Sequence, residues 1–366
     1  MEFGAFIESR RAKETREGYR RGITYFLKDP ESFLTLARRD RRGAEDALIS
    51  LVAKHRDKVA ATTLSVRLIM VKSFLDFYEV PLNWKRVRGT APRARMVALD
   101  RGPTDQEMLR AYQTGGLREK VIISFLLSGG LRVGGLLGLR LEDVRRLSSG
   151  VGLIRIYPRE VEEYSAFVSA EALDLMDAYL EERKRRAFEK LGPKSWVLRD
   201  KHYFRPEGRA LTRMTVQGEM SDLWARCGVR TKGVKGEFKM LHGFRKAFKT
   251  RMEQAGMKSV DVEVLMGHYL NYYKPSLEYL EGEYLRCQPF LLIDPKYRAE
   301  SRAEEAEQKL RPELDKLERE VLMGEKRLRD MEKEQRRQAE TLRLALQYPK
   351  VAEALRKYSQ TPDPSP

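Results

Sequence analysis

Cysteine is almost absent from these 366 residues: Cys227 and Cys287 are the whole complement. Two thiols make neither a disulfide framework nor a zinc site, and such a chain suits a reducing, intracellular compartment. Histidine is scarce too, with four residues, too few for a His-based metal centre unless carboxylates supply most of the ligands. No apolar run approaches the roughly 18 residues that span a bilayer, so no membrane segment is expected. The N-terminal stretch MEFGAFIESRRAKETREGYRR has no apolar signal core ahead of a small-residue cleavage site, which argues against secretion. Acidic residues fall short of basic ones. With 54 Asp+Glu against 71 Lys+Arg, the formal net charge is +17.

What is present points to a folded protein with a polyanionic partner. At 42% hydrophobic residues the chain can build real cores, which excludes wholesale disorder, and its length suggests two or three domains. Solvated ion-pair networks of a heat-adapted protein would explain a charged fraction of 34%, but not a surplus of one sign. The surplus has addresses. Residues 1–100 carry about +8, 101–200 about +2, 201–300 about +6 and 301–366 about +1. Nucleic acid is the expected partner.

Residues 1–90 read as a small helical bundle with basic outer faces. Tyr19, Ile23 and Phe26 share one helical face, and the segments 45–53 and 64–77 repeat the pattern, the latter capped by Thr62 or Thr63. Residues 91–103 hold Pro, Gly and Arg together and read as a basic linker. Thr104-Asp105-Gln106-Glu107 is a capping box opening a helix. The following region, 104–293, reads as mostly helical, with a buried helix at Val121–Leu127, short strands at 152–157 and 164–168, and a helix from Ala170 to Lys184. Over 294–348 two heptad rows appear, Leu310, Leu317, Met331 and Ala345 on one and Leu314, Val321, Leu328 and Leu342 on the other. They predict a coiled coil or a long amphipathic helix. Residues 349–366 read as a short helix and a disordered tail. Surface cations of the bundle and linker (Arg20, Arg21, Lys85, Arg86, Arg88, Arg93 and Arg95) are the expected contacts to a phosphate backbone.

Three segments carry chemistry. In SGGLRVGGLLGLRLEDV, Arg132 follows a Gly-Gly pair among apolar residues, which suggests a positioned, partly buried guanidinium in need of an anion. In LHGFRKAFKTRM, His242 and Arg245 are three apart and share a helical face, so an imidazole and a guanidinium fork can meet one phosphate. In LMGHYLNYYKP, His268 follows a glycine and precedes Tyr272 and Tyr273. Each signal alone is weak.

Taken in order (Arg132, then His242-x-x-Arg245, then Gly267-His268, then tyrosine) the chain resembles the tyrosine recombinases of the phage-integrase type, and among them the integrases of archaeal viruses and plasmids. The resemblance spans roughly residues 15–293. It implies a mainly α fold with a small antiparallel β-sheet, built as a two-domain clamp of a helical core-binding domain and a mixed catalytic domain, here followed by the C-terminal coiled-coil helix. It implies site-specific DNA recombination or integration through a 3′-phosphotyrosine, with no metal, ATP or other cofactor. Arg132 and Arg245 would stabilise charge on the phosphate, His242 would assist proton transfer, and His268 would bond a non-bridging oxygen. The partners implied are duplex DNA attachment sites and the chain itself, as a tetramer on DNA and a monomer or weak dimer off it, in the cytoplasm with the nucleoid.

The sequence departs from the family pattern at three points. The position nine residues after His268 is Leu277, so the nucleophile falls to Tyr273, with Tyr272 and Tyr279 as alternatives. The hairpin lysine that protonates the leaving oxygen is missing, since no lysine lies between Lys120 and Lys184. Arg159 takes the place on the hairpin, although its pKa above about 12 makes it a poor acid. The residue three after Arg132 is Gly135 rather than an acid, leaving Glu142 or Asp143 to buttress Arg132. A type IB topoisomerase or transposase using the same chemistry, or a non-catalytic DNA-binding descendant, are the rival readings.

Overall fold

A computed structural model describes residues 2–11, 13–93, 101–187, 189–200, 209–230, 240–268 and 272–358. Arg95, His202 and the extreme C-terminal tail lie outside the described residues. The chain divides into two compact units, Met1–Ala98 and Leu99–Pro366.

The first unit is helical: α1 (Glu2–Glu8), α2 (Lys13–Leu27), α3 (Pro30–Arg39), α4 (Arg41–His55), α5 (Ala61–Phe77) and α6 (Trp84–Gly89). Ile23 and Phe26 are fully buried against Phe6, Leu34, Leu48 and Phe74, as the helical spacing predicts. Side-chain caps set several boundaries. Asp29 accepts from the Ser32 N–H at the start of α3, and Asp40 accepts from the Gly43 N–H at the start of α4. Neither Thr62 nor Thr63 caps α5. That helix begins at Ala61, with Ala60, two residues before Thr62, at the cap position and no side-chain bond.

The second unit opens on α7 (Asp105–Thr114), whose capping box forms as expected: the Glu107 N–H donates to Thr104 Oγ1 and the Thr104 N–H donates to the Glu107 carboxylate. Helix α8 (Leu117–Ser128) is buried from Val121 to Ser128 and is the axis of this unit. The short α9 (Val133–Leu137) follows, then a three-stranded antiparallel sheet in the order β1 (Val144–Arg146), β2 (Gly152–Ile156), β3 (Tyr164–Val168). The first strand was not legible in the sequence. Next come α10 (Ala170–Ala187), α11 (Arg213–Arg226), α12 (His242–Gln254), α13 (Ser259–Leu265) and α14 (Leu277–Cys287). Phe248 and Met252 of α12, Val262 and Leu265 of α13 and Tyr284 of α14 share a core with Phe167 of β3, which ties the motif-bearing helices to the sheet.

Helix α15 (Pro295–Ala345) is one continuous helix of 51 residues, and α16 (Pro349–Tyr358) follows it. Pro295 occupies the first turn, where its missing N–H is harmless. Leu310, Leu314, Leu317, Val321, Leu328, Met331 and Leu342 all face solvent, so the heptad seam is open within this chain. Among the described residues, no helix is long and apolar enough to cross a membrane.

Candidate active site

The guanidinium of Arg245 organises the site. It lies on α12 and is 3% exposed. One nitrogen, Nη1, donates to the Gly130 carbonyl at 2.6 Å. The other, Nη2, donates to the Met266 carbonyl and sits 3.0 Å from His268 Nε2. One side chain thus ties the turn before Arg132 to the turn before His268. Burial lowers the pKa of Arg245, and the neighbouring charge of Arg132 lowers it further. With an ordinary value above about 12 it still carries its proton.

Both turns are glycine-dependent. Gly130 has φ +59° and Gly267 φ +68°. A Cβ at Gly130 would press into the Phe248 ring at 2.4 Å, and one at Gly267 into the Tyr164 ring at 2.5 Å. Only glycine suits both the left-handed backbone and the space.

Arg132 is the residue immediately before α9 and is exposed rather than partly buried. The expected acidic buttress is not made. Asp143 instead bonds Arg155 at 3.2 Å and accepts from the Arg140 N–H, and among the described residues no carboxylate pairs with Arg132. Gly135 has a packing reason, since a Cβ there would meet Ile156 Cγ2 at 2.7 Å. An acidic side chain at this position would collide with the hairpin.

His268 is oriented from its far side. Its Nδ1 bonds the Glu263 carboxylate, which also takes the Lys249 ammonium. Burial raises the pKa of Glu263, but the bonds from Lys249 and His268 outweigh it and hold the carboxyl below its ordinary range. With Nδ1–H given to Glu263, Nε2 accepts from Arg245. His242 starts α12, one turn before Arg245, and is exposed.

The β2–β3 turn reaches the same place. Tyr157 and Arg159 both take left-handed backbone, at φ +52° and +69°, a strain that tends to gather at functional sites. Arg159 points to solvent, and its backbone N–H donates to Glu163 at 2.6 Å. The Tyr157 hydroxyl lies against Gly134 and Gly135 at the start of α9, and burial raises its pKa while the positive charges of Arg132 and Arg245 oppose that rise. Tyr164, at the start of β3, is half-buried beside Arg245. Neither tyrosine was a sequence candidate. The spacing of Tyr157 two residues before Arg159 was the available signal.

The three tyrosine candidates lie in two environments. Tyr272 is fully exposed. Tyr273 donates to Asp261 Oδ1 at 2.5 Å, and Tyr279 donates to Oδ2 of the same carboxyl at 3.0 Å. That bond, with burial, pushes the Tyr273 phenol well above its ordinary pKa. Tyr284, a little further along, is wholly buried with its hydroxyl on the Ser128 carbonyl and serves the core.

Of the expected backbone contacts, Lys85, Arg88 and Arg93 are exposed. Arg20 is paired with Glu8, Arg21 donates to the Glu17 carbonyl, and Arg86 is held between Glu45 and Asp46.

Residues 105–270 match the model of the phage integrase family. The tyrosine recombinase XerD of Lacticaseibacillus casei is 24% identical over 273 residues, covering 72% of this chain and 86% of that protein. The solved structure of the Tn1549 transposon integrase with circular intermediate DNA aligns at a TM-score of 0.56 and 14% identity, over 78% of this chain and 98% of that one. A lambda integrase dimer bound to a core site aligns at 0.51 and 12% identity, over 75% and 96%. The mainly helical fold with its small antiparallel sheet is the fold of these proteins.

Proposed function

We propose, from the premise that this chain belongs to the tyrosine recombinase family, that it breaks and rejoins duplex DNA at specific sites through a covalent phosphotyrosine. The observation that carries the proposal is the Arg245 guanidinium, which bonds the Gly130 carbonyl two residues before Arg132, bonds the Met266 carbonyl and lies 3.0 Å from His268 Nε2, so three distant parts of the chain meet at one cation. A scissile phosphate there would meet an exposed guanidinium, a buried one and an imidazole, and charge building on its non-bridging oxygens would be neutralised by groups already in place.

The roles follow from position. Arg132 and Arg245 bind the phosphate. His268, held by Glu263, donates a hydrogen bond to a non-bridging oxygen when its Nε2 carries a hydrogen. His242, on the face of α12 that carries Arg245, takes the proton of the attacking phenol. Tyr273 is the nucleophile and must leave Asp261 to attack; Tyr272 and Tyr279 are its competitors. Arg159, on the hairpin, steadies the leaving oxygen. The tyrosine forms a bond to phosphorus, the bond to the 5′ oxygen breaks, and the phosphodiester energy is kept in the 3′ link, so rejoining needs no nucleotide. DNA recombination joins two duplexes, and assembly of several copies on DNA goes with this reading. Insertion of a mobile element into a chromosome is the biological form we favour. The basic helical unit 1–90 and linker 91–103 would track the backbone, and the open heptad seam of α15 would serve contacts between copies.

The test is a library of random-sequence duplexes carrying a nick, incubated with the protein and denatured. Covalent protein–DNA adducts should be recovered, should enrich a common sequence, and should vanish with Tyr273→Phe. An adduct that survives Tyr273→Phe but not Tyr272→Phe or Tyr279→Phe moves the nucleophile. Binding without any adduct favours the non-catalytic rival, and efficient supercoil relaxation without recombinants favours the topoisomerase.

A further inference from the structure

When the 5′ oxygen leaves, it departs as an alkoxide, a far stronger base than any side chain nearby. A proton must reach it in the transition state. Arginine cannot supply one, and the sequence carries no lysine from 121 to 183. His268 commits one ring nitrogen to Glu263 and the other faces Arg245. Lys249 is bound to Glu263.

We propose that Tyr157 is the proton donor to the leaving 5′ oxygen. Three observations place it there. Its left-handed backbone turns the phenol back over α9 instead of out along the hairpin. The Gly134-Gly135 pair leaves the space it occupies, for a Cβ at Gly134 would stand 3.1 Å from the Tyr157 hydroxyl and one at Gly135 would stand 3.7 Å from it. Gly134 and Gly135 follow Arg132 by two and three residues, so the hydroxyl lies beside the turn that carries Arg132, the same turn that Arg245 grips through the Gly130 carbonyl. Burial keeps the phenol protonated at neutral pH, and the two cations stabilise the phenolate it becomes.

The step balances. The nucleophilic tyrosine loses its proton to His242 and bonds phosphorus. The P–O5′ bond breaks as the Tyr157 O–H proton passes to O5′, leaving a free 5′-hydroxyl and a Tyr157 phenolate. In rejoining, the phenolate takes that proton back as the 5′ oxygen attacks.

This inference rests on the recombinase reading, and its test separates the two. Adduct formation is timed on an enriched nicked duplex whose scissile phosphate carries either the ordinary 5′-bridging oxygen or a 5′-bridging sulfur. A thiolate, with a pKa near 8.5, leaves without a proton. Tyr157→Phe, which removes only the hydroxyl, should slow the oxygen substrate by about 10²- to 10⁴-fold and leave the sulfur substrate within about threefold of wild type. Equal slowing on both substrates would make Tyr157 a phosphate ligand and overturn the proposal, as would unchanged rates on both. A wild-type protein that forms no adduct with either substrate would overturn the recombinase reading itself. An unchanged melting temperature for Tyr157→Phe confirms that the comparison is between folded proteins.

Discussion

Tyr273 donates its phenolic hydrogen to a carboxyl, Asp261, that is wholly buried in α13. The bond holds the phenol in its protonated form and raises its pKa, the opposite of what a nucleophile needs. If Tyr273 is the nucleophile as proposed, it must leave this bond to attack; Tyr279 shares the same anchor. Replacing Asp261 by Asn keeps the shape and removes the anionic acceptor, so the Tyr273 pKa should fall back toward about 10. Adduct formation by Asp261→Asn should be several-fold faster near pH 8, with its rise shifted to lower pH. Rates measured from pH 6 to 10 test this, and a profile identical to wild type would show that Tyr273 attacks without leaving Asp261 or is not the nucleophile.

The two pocket arginines should separate under conservative change. Arg245 spans two carbonyls inside the protein, and a lysine cannot bridge both. Arg245→Lys should lower stability by about 2–3 kcal/mol, the scale of orphaned buried acceptors, and abolish cleavage. Arg132 is exposed, and among the described residues it holds no carboxylate partner whose loss would unfold anything. Arg132→Lys should melt within about 0.5 kcal/mol of wild type yet cleave about 10²- to 10³-fold more slowly, with DNA affinity nearly retained. Paired thermal melts and adduct assays decide it; equal destabilisation by the two changes would contradict the division of labour.

How much of this was legible beforehand depends on range. The capping box at Thr104 and Glu107, the buried helix through Val121–Leu127 and the strand at Tyr164–Val168 are local patterns and were readable. Strand β1 was not, because two of its three residues are exposed arginines whose pairing with Leu153 and Gly152 is set by the partner strand. Helix α11 has its buried positions Val216, Met220 and Leu223 diluted by Gly218 and hydroxyl residues, so its period was faint. At the site, the order of Arg132, His242, Arg245 and His268 was visible, because it is a property of the chain. The Tyr157 phenol was not, because its position follows from a left-handed turn on one segment and two glycines on another. Asp261 was missed for the same reason: its role appears only once Tyr273 and Tyr279 are beside it.

Contacts to DNA from the helical unit should divide by existing partnerships. Arg86 is already held by Glu45 and Asp46, whereas Lys85 and Arg88 are exposed. Lys85→Ala or Arg88→Ala should weaken binding equally across DNA sequences and reduce the slope of log affinity against log salt by about one. Arg86→Ala should leave that slope unchanged and lower the melting temperature instead. Titrations at several salt concentrations measure the slopes; a lowered slope for Arg86→Ala would show that it exchanges its carboxylates for phosphate.

Acid sensitivity has an address at the start of α7. Arg101 grips the Glu107 carboxylate with two bonds of 2.7 Å, and the Thr104 N–H adds a third. Together they bring the Glu107 pKa down to about 2. A depressed carboxyl stabilises the fold fully above its unfolded value near 4.3 and loses that contribution as pH falls through the folded value. Glu107→Gln should therefore cost about 1–2 kcal/mol at pH 7, allowing for solvent screening, and the difference from wild type should vanish near pH 2. Melts across that range check the sign, since a gap that widened on acidification would exclude it.

The most damaging single change outside the site should be at Glu189. Its carboxylate is buried between two buried guanidiniums, at 2.7 Å from Arg183 and 2.8 Å from Arg199. Burial alone would raise its pKa, but the two arginines outweigh it and lower it. Arg183 also donates to the Trp196 and Val197 carbonyls, and the Val197 N–H bonds the Leu139 carbonyl just beyond α9. The cluster thus fastens the segment that follows Arg132 and its helix. Glu189→Gln leaves two desolvated cations facing a neutral amide and should cost about 3–5 kcal/mol. Replacing all three charges by apolar residues of similar volume should restore most of that loss. If the single change is mild in denaturant unfolding and the triple change is the worse of the two, water reaches this cluster and the ion pairs are net stabilising.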